Sequence, residues 1–463
     1  MFLFKQQDLD DFASVSGDWN PIHTSPSTAR RLIAGEVVAH GIFVLLHALN
    51  KFCNTSDLTI ASIKCRFLKP IFLKKEAQLS VESVNEHSSK IIVSCNNSEC
   101  LSIVIKFGGN KNLGNIPEGE YLKQDSNDHN FDNLKNSSGK VLVKTNFNYI
   151  NKNFPNLSDN IGIIPIQSLM LCSKIVGMDC PGLNSLFSGL DITFDAEQCS
   201  SKLTWNVQRH TLPIAPIRIG ISGGGLSGHI ESFYRPAAVK QETFETIRGK
   251  VDDDIFKNER ALVIGASRGL GELTAKIIVA GGGEVLGTFY GGHNDAKRLE
   301  LEIGVTEQKF KMVPLNILKN DADYLLSFFE NEFVPTHIYY FASPKIKSNK
   351  GNGIDDDLLN IYRQFFVKSF FNIVEVVRVL FTGEITVLYP STVFIDQKTS
   401  DFKEYAIAKL EGENLYSGQD IQDNINISYK RLPRLKTDQT AGILSMSTDE
   451  NFKVMLRVIK ELL

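Results

Sequence analysis

The segment SGDWNPIH (residues 16–23) sets a carboxylate, Asp18, and an imidazole, His23, on either side of an Asn-Pro turn. Two such groups facing one another across a water can act as base and acid. That is what hydration of a 2-enoyl thioester requires: the water is activated for attack at C3 and a proton is delivered to C2. Asn20 favours the turn and Pro21 stiffens it. Downstream, AHG (39–41) opens an apolar run, and the backbone N–H of Gly41 at a helix start can donate to a thioester carbonyl. A second set of residues lies far along the chain. GASRGLG (265–271) spaces Gly265, Gly269 and Gly271 so that backbone, not side chain, meets a pyrophosphate. Tyr405 and Lys409 in EYAIAKLEGE stand one helical turn apart on one face. An ammonium beside a phenol lowers the phenol pKa, so that the phenol can exchange a proton during hydride transfer. A hydroxyl at the end of VLYPSTVF, just before, can bind the substrate carbonyl.

These residues need a large scaffold. The 463 residues call for two or three domains, and 42% hydrophobic with 22% charged residues is a soluble globular composition. A formal charge of −3 gives no general attraction to nucleic acid or to an anionic membrane, and neither is expected as a partner. The seven cysteines (53, 65, 95, 100, 172, 180, 199) are odd in number, scattered and confined to the first 200 residues, which favours a reducing cytoplasm. MFLFKQQDLDDF has no basic region followed by a long apolar run, and no stretch is apolar enough to span a bilayer, so a cytoplasmic protein is expected. The nine histidines lack metal-ligand spacing, and no metal is expected.

Two polar stretches, 108–140 and 244–260, divide the chain into domains expected at 1–112, 138–246 and 257–463. The first two share a layout, one apolar helix (37–52 and 164–180) followed by alternating strands in the manner of an antiparallel sheet. The third alternates short apolar strands with helices from ALVIGAS onward, which predicts an α/β, doubly wound parallel sheet of Rossmann type.

The string FASVSGDWNPIHTSPSTA (12–29), with AHG and CRFLKPIFLKKEAQLSV after it, resembles the (R)-specific enoyl hydratases of the MaoC-like family over about the first 80 residues. The resemblance implies an α+β hot-dog fold, here a tandem double hot dog. It makes Asp18 and His23 the catalytic dyad, with Asn20 as turn former and Gly41 as oxyanion donor on the substrate-binding side. Ser25 stands where an acid is common. CPGLNSLFSGLDITF (180–194) resembles the helix-to-strand passage of the same family, and with no acid–His segment the second half is expected to be non-catalytic.

GASRGLG, VLYPSTVF and EYAIAK together resemble the short-chain dehydrogenase/reductases over nearly all of 259–463. The resemblance implies cofactor contacts from Gly265, Ser267, Arg268, Gly269, Leu270 and Gly271. It makes Tyr405 the acid/base, Lys409 also a ribose ligand, and Ser391 the residue that orients the carbonyl, although the family's usual spacing of thirteen to the Tyr selects Thr392. Arg268 in the loop, and TFYGG without an acid, favour NADPH. The pattern departs from the family at YYFASP for NNAG, at Phe366 where an Asn often completes a tetrad, and at LPRLKTDQT after the catalytic helix. The family's usual last strand is also missing.

A 3-oxoacyl reductase makes a 3-hydroxyacyl thioester, and a hydratase interconverts that product with the 2-enoyl thioester, so fusion raises local concentration. The expected protein is therefore a bifunctional, NADPH-dependent 3-oxoacyl reductase and (R)-3-hydroxyacyl dehydratase. It would act on acyl-CoA or acyl carrier protein thioesters, as a possible homodimer. The alternatives are a hydratase with a degenerate reductase domain, and an enzyme making a hydroxyacyl group for a surface sugar.

Overall fold

In the computed structural model, all residues are described except 33, 57, 113, 198–199, 236, 305–308, 320–321, 331–332, 350, 352, 398–399, 417–423 and 441–448. The chain forms two compact units, Met1–Ala237 and a second beginning at Ala238. The division expected at 108–140 is not a domain boundary. That stretch buries Ile116 and Leu134 in the same core as both flanking halves, and Ser138–Leu142 joins the sheet as a strand. The unit boundary also precedes the expected start at 257, because Phe244–Arg248 is a short helix whose Phe244 and Ile247 enter the core of the second unit.

The first unit is one antiparallel sheet of nine strands. In chain order these are β1 (Ile60–Phe67), β2 (Ala77–Asn85), β3 (Ser88–Cys95), β4 (Ser98–Phe107), β5 (Ser138–Leu142), β6 (Ser185–Phe194), β7 (Lys202–Arg209), β8 (Ile217–Gly223) and β9 (Leu226–Tyr234). Their lateral order is β2-β3-β4-β1-β6-β9-β8-β7-β5. Each half thus has a helix followed by four strands, the first beside the fourth, and β5, which precedes the second half's helix, pairs with β7 at the sheet edge. The halves meet where β1 pairs antiparallel with β6, from Ser62 opposite Thr193 to Arg66 opposite Gly189. The helices Gly41–Cys53 and Ile163–Lys174 are buried on almost every side, as expected of helices with no polar stripe. The second of them ends in a π turn, Ile175–Asp179, which falls within the helix expected at 164–180.

The second unit is a six-stranded parallel sheet of β10 (Arg260–Ile264), β11 (Glu284–Phe289), β12 (Phe310–Pro314), β13 (His337–Tyr340), β14 (Ile385–Thr392) and β15 (Ile425–Leu432), in the order β12-β11-β10-β13-β14-β15. Its strands are short and apolar because helices cover both faces, with one hydrophobic cluster on each side. After β15 comes the helix Asn451–Lys460, and among the described residues no seventh strand joins the sheet. No single described helix is long and apolar enough to cross a membrane. The six described cysteines are free thiols, and Cys199 lies outside the described residues.

Candidate active sites

The helix Gln6–Ser16 stops at Gly17, whose φ of +76° turns the chain back. A side chain at Gly17 would meet Tyr121 and Lys174 at 3.0–3.1 Å, so glycine suits both the conformation and the space. The next residue, Asp18, is fully buried. Its Oδ1 accepts from the Asn20 N–H at 3.2 Å and its Oδ2 from the Ser173 hydroxyl at 2.6 Å. Asn20 caps the turn Pro21–Thr24 by accepting from the Ile22 N–H at 3.2 Å. Its amide also donates to the Gly177 carbonyl at 2.8 Å, with the carbonyls of Gly182 and Leu183 at 3.3 and 3.4 Å. Asn20 therefore does more than form a turn. It ties the acid–His segment to the end of the second half's helix, with both its side-chain oxygen and its amide engaged within the protein.

His23 donates from Nδ1 to the Val38 carbonyl at 2.7 Å, which leaves Nε2 for a reacting molecule. The His40 ring stacks on it with centroids 3.9 Å apart, and His40 Nε2 donates to the Asp18 carbonyl at 3.0 Å. Ligand-type atoms of Asp18, His23 and His40 all lie within 4.8 Å of one another. His40 also precedes Gly41, the first residue of the central helix, whose N–H is one of the unpaired donors of a first turn. A Cβ at Gly41 would meet the Phe67 ring at 2.9 Å, so only glycine sits there without moving that ring. The sequence thus brings together the pair it pointed to, next to the helix start it pointed to. Burial pushes the Asp18 carboxyl above its ordinary range, against the pull of His23, the Ser173 hydroxyl, the Asn20 N–H and Lys174. Burial pushes His23 down, and Arg235 adds to this while Asp18 opposes it. His40 is held well below the ordinary histidine value, first by burial and then by His23. An acid raised toward an imidazole lowered can pass a proton at small cost, and the proton then belongs to the pair.

Sequence reasoning missed Ser173, Gly177 and His40. The first two lie on the half expected to be non-catalytic, and no local motif marks them. A Cβ at Gly177 would stand 2.2 Å from Asp18 Oδ1, so this glycine makes room for the carboxylate. His40 was visible in AHG, and its stacking on His23 depends on a fold that the motif does not spell out.

In the second unit, β10 leads into Gly265 (φ +87°) and Gly269 (φ +64°), where the helix Gly269–Ala280 begins. A Cβ on Gly271 would lie 2.3 Å from the Gly265 carbonyl oxygen, and one on Gly265 would lie 2.8 Å from the Ala342 backbone nitrogen. The loop therefore closes tightly at a helix N-terminus, with the Gly265 N–H donating to the Thr288 hydroxyl at 3.3 Å and the Ala266 N–H to the Thr288 carbonyl at 2.8 Å. That cradle fits a pyrophosphate. Ser267 is buried in this loop, and Leu270 packs against the apolar cluster beneath it. Arg268 faces Asp438 across 3.5 Å.

The Thr392 hydroxyl lies close enough to the Tyr405 phenol to favour its ionised form. Ser391, the neighbouring hydroxyl on the same strand end, acts on Glu413, two turns along the helix from Tyr405. Ser391 Oγ is buried without a hydrogen-bond partner. Lys409 Nζ lies 6.0 Å from the Tyr405 ring centroid. Burial, with Tyr362 adjacent, pushes the Tyr405 hydroxyl up. Lys409 Nζ donates to the Pro390 carbonyl at 2.6 Å and lies 4.0 Å from the Phe366 ring centroid and 4.6 Å from that of Tyr389. Burial among those groups lowers it to about 7. Phe366 sits in a π turn, Gln364–Lys368, whose loosened carbonyls accept from the Tyr340 hydroxyl (at Phe365, 2.6 Å) and the Tyr389 hydroxyl (at Phe366, 3.1 Å).

Residues 4–99 match the family profile of the MaoC like domain. The N-terminal region is a MaoC-like domain. It holds Asp18, His23, His40 and Gly41, whereas Ser173 and Gly177 lie beyond the matched residues. No curated protein matches the chain. Solved structures similar to part of it include an oxidoreductase, yciK, from E. coli, at 15% identity over 45% of this chain and 90% of that one, TM-score 0.40. A short-chain dehydrogenase from Shigella flexneri complexed with NADP is 15% identical over 46% of this chain and 93% of that one, TM-score 0.40. FolM alternative dihydrofolate reductase 1 from Brucella suis in complex with NADP is 14% identical over 38% and 72%, TM-score 0.34.

Proposed function

We propose that the first unit, a double hot dog, adds water to 2-enoyl thioesters or removes it from (R)-3-hydroxyacyl thioesters. The observation that carries this reading is Asp18, buried yet held by Ser173 and Asn20, within 4.8 Å of His23 and beside the first turn that begins at Gly41. The thioester carbonyl accepts from the Gly41 N–H, which also stabilises the enolate oxygen as it develops. His23 Nε2 and the Asp18 carboxyl bracket the water, one taking its proton while the other serves C2. Ser173 and Asn20 fix the carboxyl so that the hydroxyl added at C3 and the proton added at C2 meet one face of the alkene.

The second unit then reduces a 3-oxoacyl thioester, and its strand order and glycine cradle support a Rossmann-type dinucleotide site. NADPH, when bound, supplies hydride. The loop from Gly265 to Gly271 would hold its pyrophosphate, Arg268 its 2′-phosphate after release from Asp438, and Lys409 with Tyr405 its nicotinamide ribose. Tyr405 gives its proton to the carbonyl oxygen, and Thr392 fixes the phenol. The carrier is coenzyme A or an acyl carrier protein. Hydration of crotonyl-CoA and NADPH oxidation with acetoacetyl-CoA test both parts: Asp18→Asn should remove only the first activity and Tyr405→Phe only the second. Hydration that survives Asp18→Asn would refute the assignment of the dyad. A wild type that hydrates without oxidising NADPH would make the second unit a non-reducing one, which the aromatic cover over Lys409 favours as the second reading.

A further inference from the structure

Arg235 follows β9 and is fully buried. Its Nε donates to the Ser185 carbonyl at 3.1 Å and its Nη2 to the Leu183 carbonyl, the same oxygen that lies 3.4 Å from the Asn20 amide. Nη1 is buried and has no partner, and among the described residues the guanidinium forms no ion pair. Its positive field reaches His23. Two further polar atoms near the dyad, Trp19 Nε1 and His40 Nδ1, are buried without partners as well. A buried cation with an idle donor is costly unless an anion joins it. Asp128 is felt at Arg235, but its carboxylate accepts instead from the Asn184 amide at 2.9 Å.

We propose that Arg235 recognises an anion in the Asp18–His23 site, and that the acyl group taken there carries a second carboxylate. This rests on the thioester reading of the first unit. A neutral thioester carbonyl would leave the charge uncompensated. The phosphates of a coenzyme A or carrier arm lie many bonds from the sulfur, whereas Arg235 shares a carbonyl with Asn20, two residues from Asp18. A carboxylate at the far end of a short acyl chain meets both requirements, since a guanidinium binds it by a charge-assisted hydrogen bond.

The test is calorimetric binding of two saturated four-carbon thioesters to the full chain, succinyl-CoA with a terminal carboxylate and butyryl-CoA without one. Neither can be hydrated. Wild type should bind succinyl-CoA about 30-fold more tightly, the ratio expected of one charged hydrogen bond. In Arg235→Gln that ratio should fall to about one, and Arg235→Lys should keep part of it. Equal affinities in wild type, tighter binding of butyryl-CoA, binding of neither, or a ratio unchanged in Arg235→Gln would each overturn the proposal. If Arg235→Gln does not fold, the wild-type ratio alone decides. Crotonyl-CoA hydration by wild type, run alongside, reports on the hydratase reading separately: hydration without a carboxylate preference removes the role of Arg235 and leaves the dyad standing.

Discussion

Gly177→Ala is the sharpest perturbation of the first site, because it adds one methyl group against the Asp18 carboxyl proposed to be catalytic. The added Cβ would lie 2.2 Å from Asp18 Oδ1, 2.8 Å from Cγ and 3.0 Å from Oδ2. Carbon does not approach oxygen closer than about 3.0 Å, so the carboxyl must retreat by about 0.8 Å or the π turn must open. Retreat is opposed on both sides. Oδ1 is held by the Asn20 N–H and Oδ2 by Ser173 at 2.6 Å, and Asp18 has no solvent to move into. A shift near 1 Å in a catalytic group costs about 100-fold in rate, and overpacking a core costs about 1–3 kcal/mol. Crotonyl-CoA hydration should therefore fall about 100-fold, while NADPH oxidation by the second unit stays at the wild-type rate and certifies the preparation. Stability gives an independent reading. Glycine to alanine inside a helix, with room to spare, stabilises by about 1 kcal/mol. A variant that hydrates within threefold of wild type and melts higher would refute the claim that Gly177 holds space for Asp18.

Three other outcomes follow from single contacts. Thr392→Val should cut NADPH oxidation about 100-fold while Ser391→Ala changes it less than threefold, because the Thr392 hydroxyl favours the ionised form of the Tyr405 phenol; the reverse order would favour Ser391. Gly271→Ala puts a methyl group 2.3 Å from a backbone oxygen that cannot swing aside, and titration by NADPH fluorescence should detect no binding. His47 sits among the rings of Phe4, Phe43 and Phe154, and burial lowers it to about 4. The folded protein then resists a proton that the unfolded chain accepts below about pH 6.5. Stability is therefore full above that value and lost as pH falls toward 4, by at most about 3 kcal/mol because the ring is only partly shielded. Denaturant melts of His47→Leu should show a flatter acid limb than wild type, and an identical limb would count against this account.

Local patterns were legible wherever chemistry and backbone geometry share a short segment. Asp18, Asn20 and His23 are linked by one turn, Gly265 to Gly271 by one loop, and Tyr405 and Lys409 by one helical turn, so spacing alone places each set. The βα alternation of the second unit was readable for the same reason, since each short apolar strand is punctuated by the helix after it. What could not be read depends on residues distant in sequence. The stretch 108–140 has a loop's composition, yet Leu134 and Ile116 are core residues, because a connecting segment needs only a few apolar anchors to pack on a core. Thr392 and Ser391 are both hydroxyls at one strand end, and only the group each acts on separates them. Phe366 was seen as a departure, but the π turn beneath it, and the two tyrosine hydroxyls that serve its carbonyls, depend on β13 and β14.

The same distinction decides what the second half of the first unit is for. Its own segment before the helix Ile163–Lys174 carries no acid–His pair, which by motif alone makes it a filler. Yet Ser173 donates to Asp18, Gly177 leaves space for that carboxyl and accepts from Asn20, and Lys174 helps to draw the Asp18 carboxyl back down. On the proposed reading the first half supplies the reacting groups, and the second supplies contacts that set the position and charge of Asp18. A buried carboxyl pushed up by desolvation needs such donors if it is to ionise at all near neutral pH. Ser173→Ala removes the shortest of them without removing a reacting group. It should therefore raise the pH at which crotonyl-CoA hydration reaches half its maximum on the acid side, whereas loss of a merely structural contact would lower the rate at every pH alike.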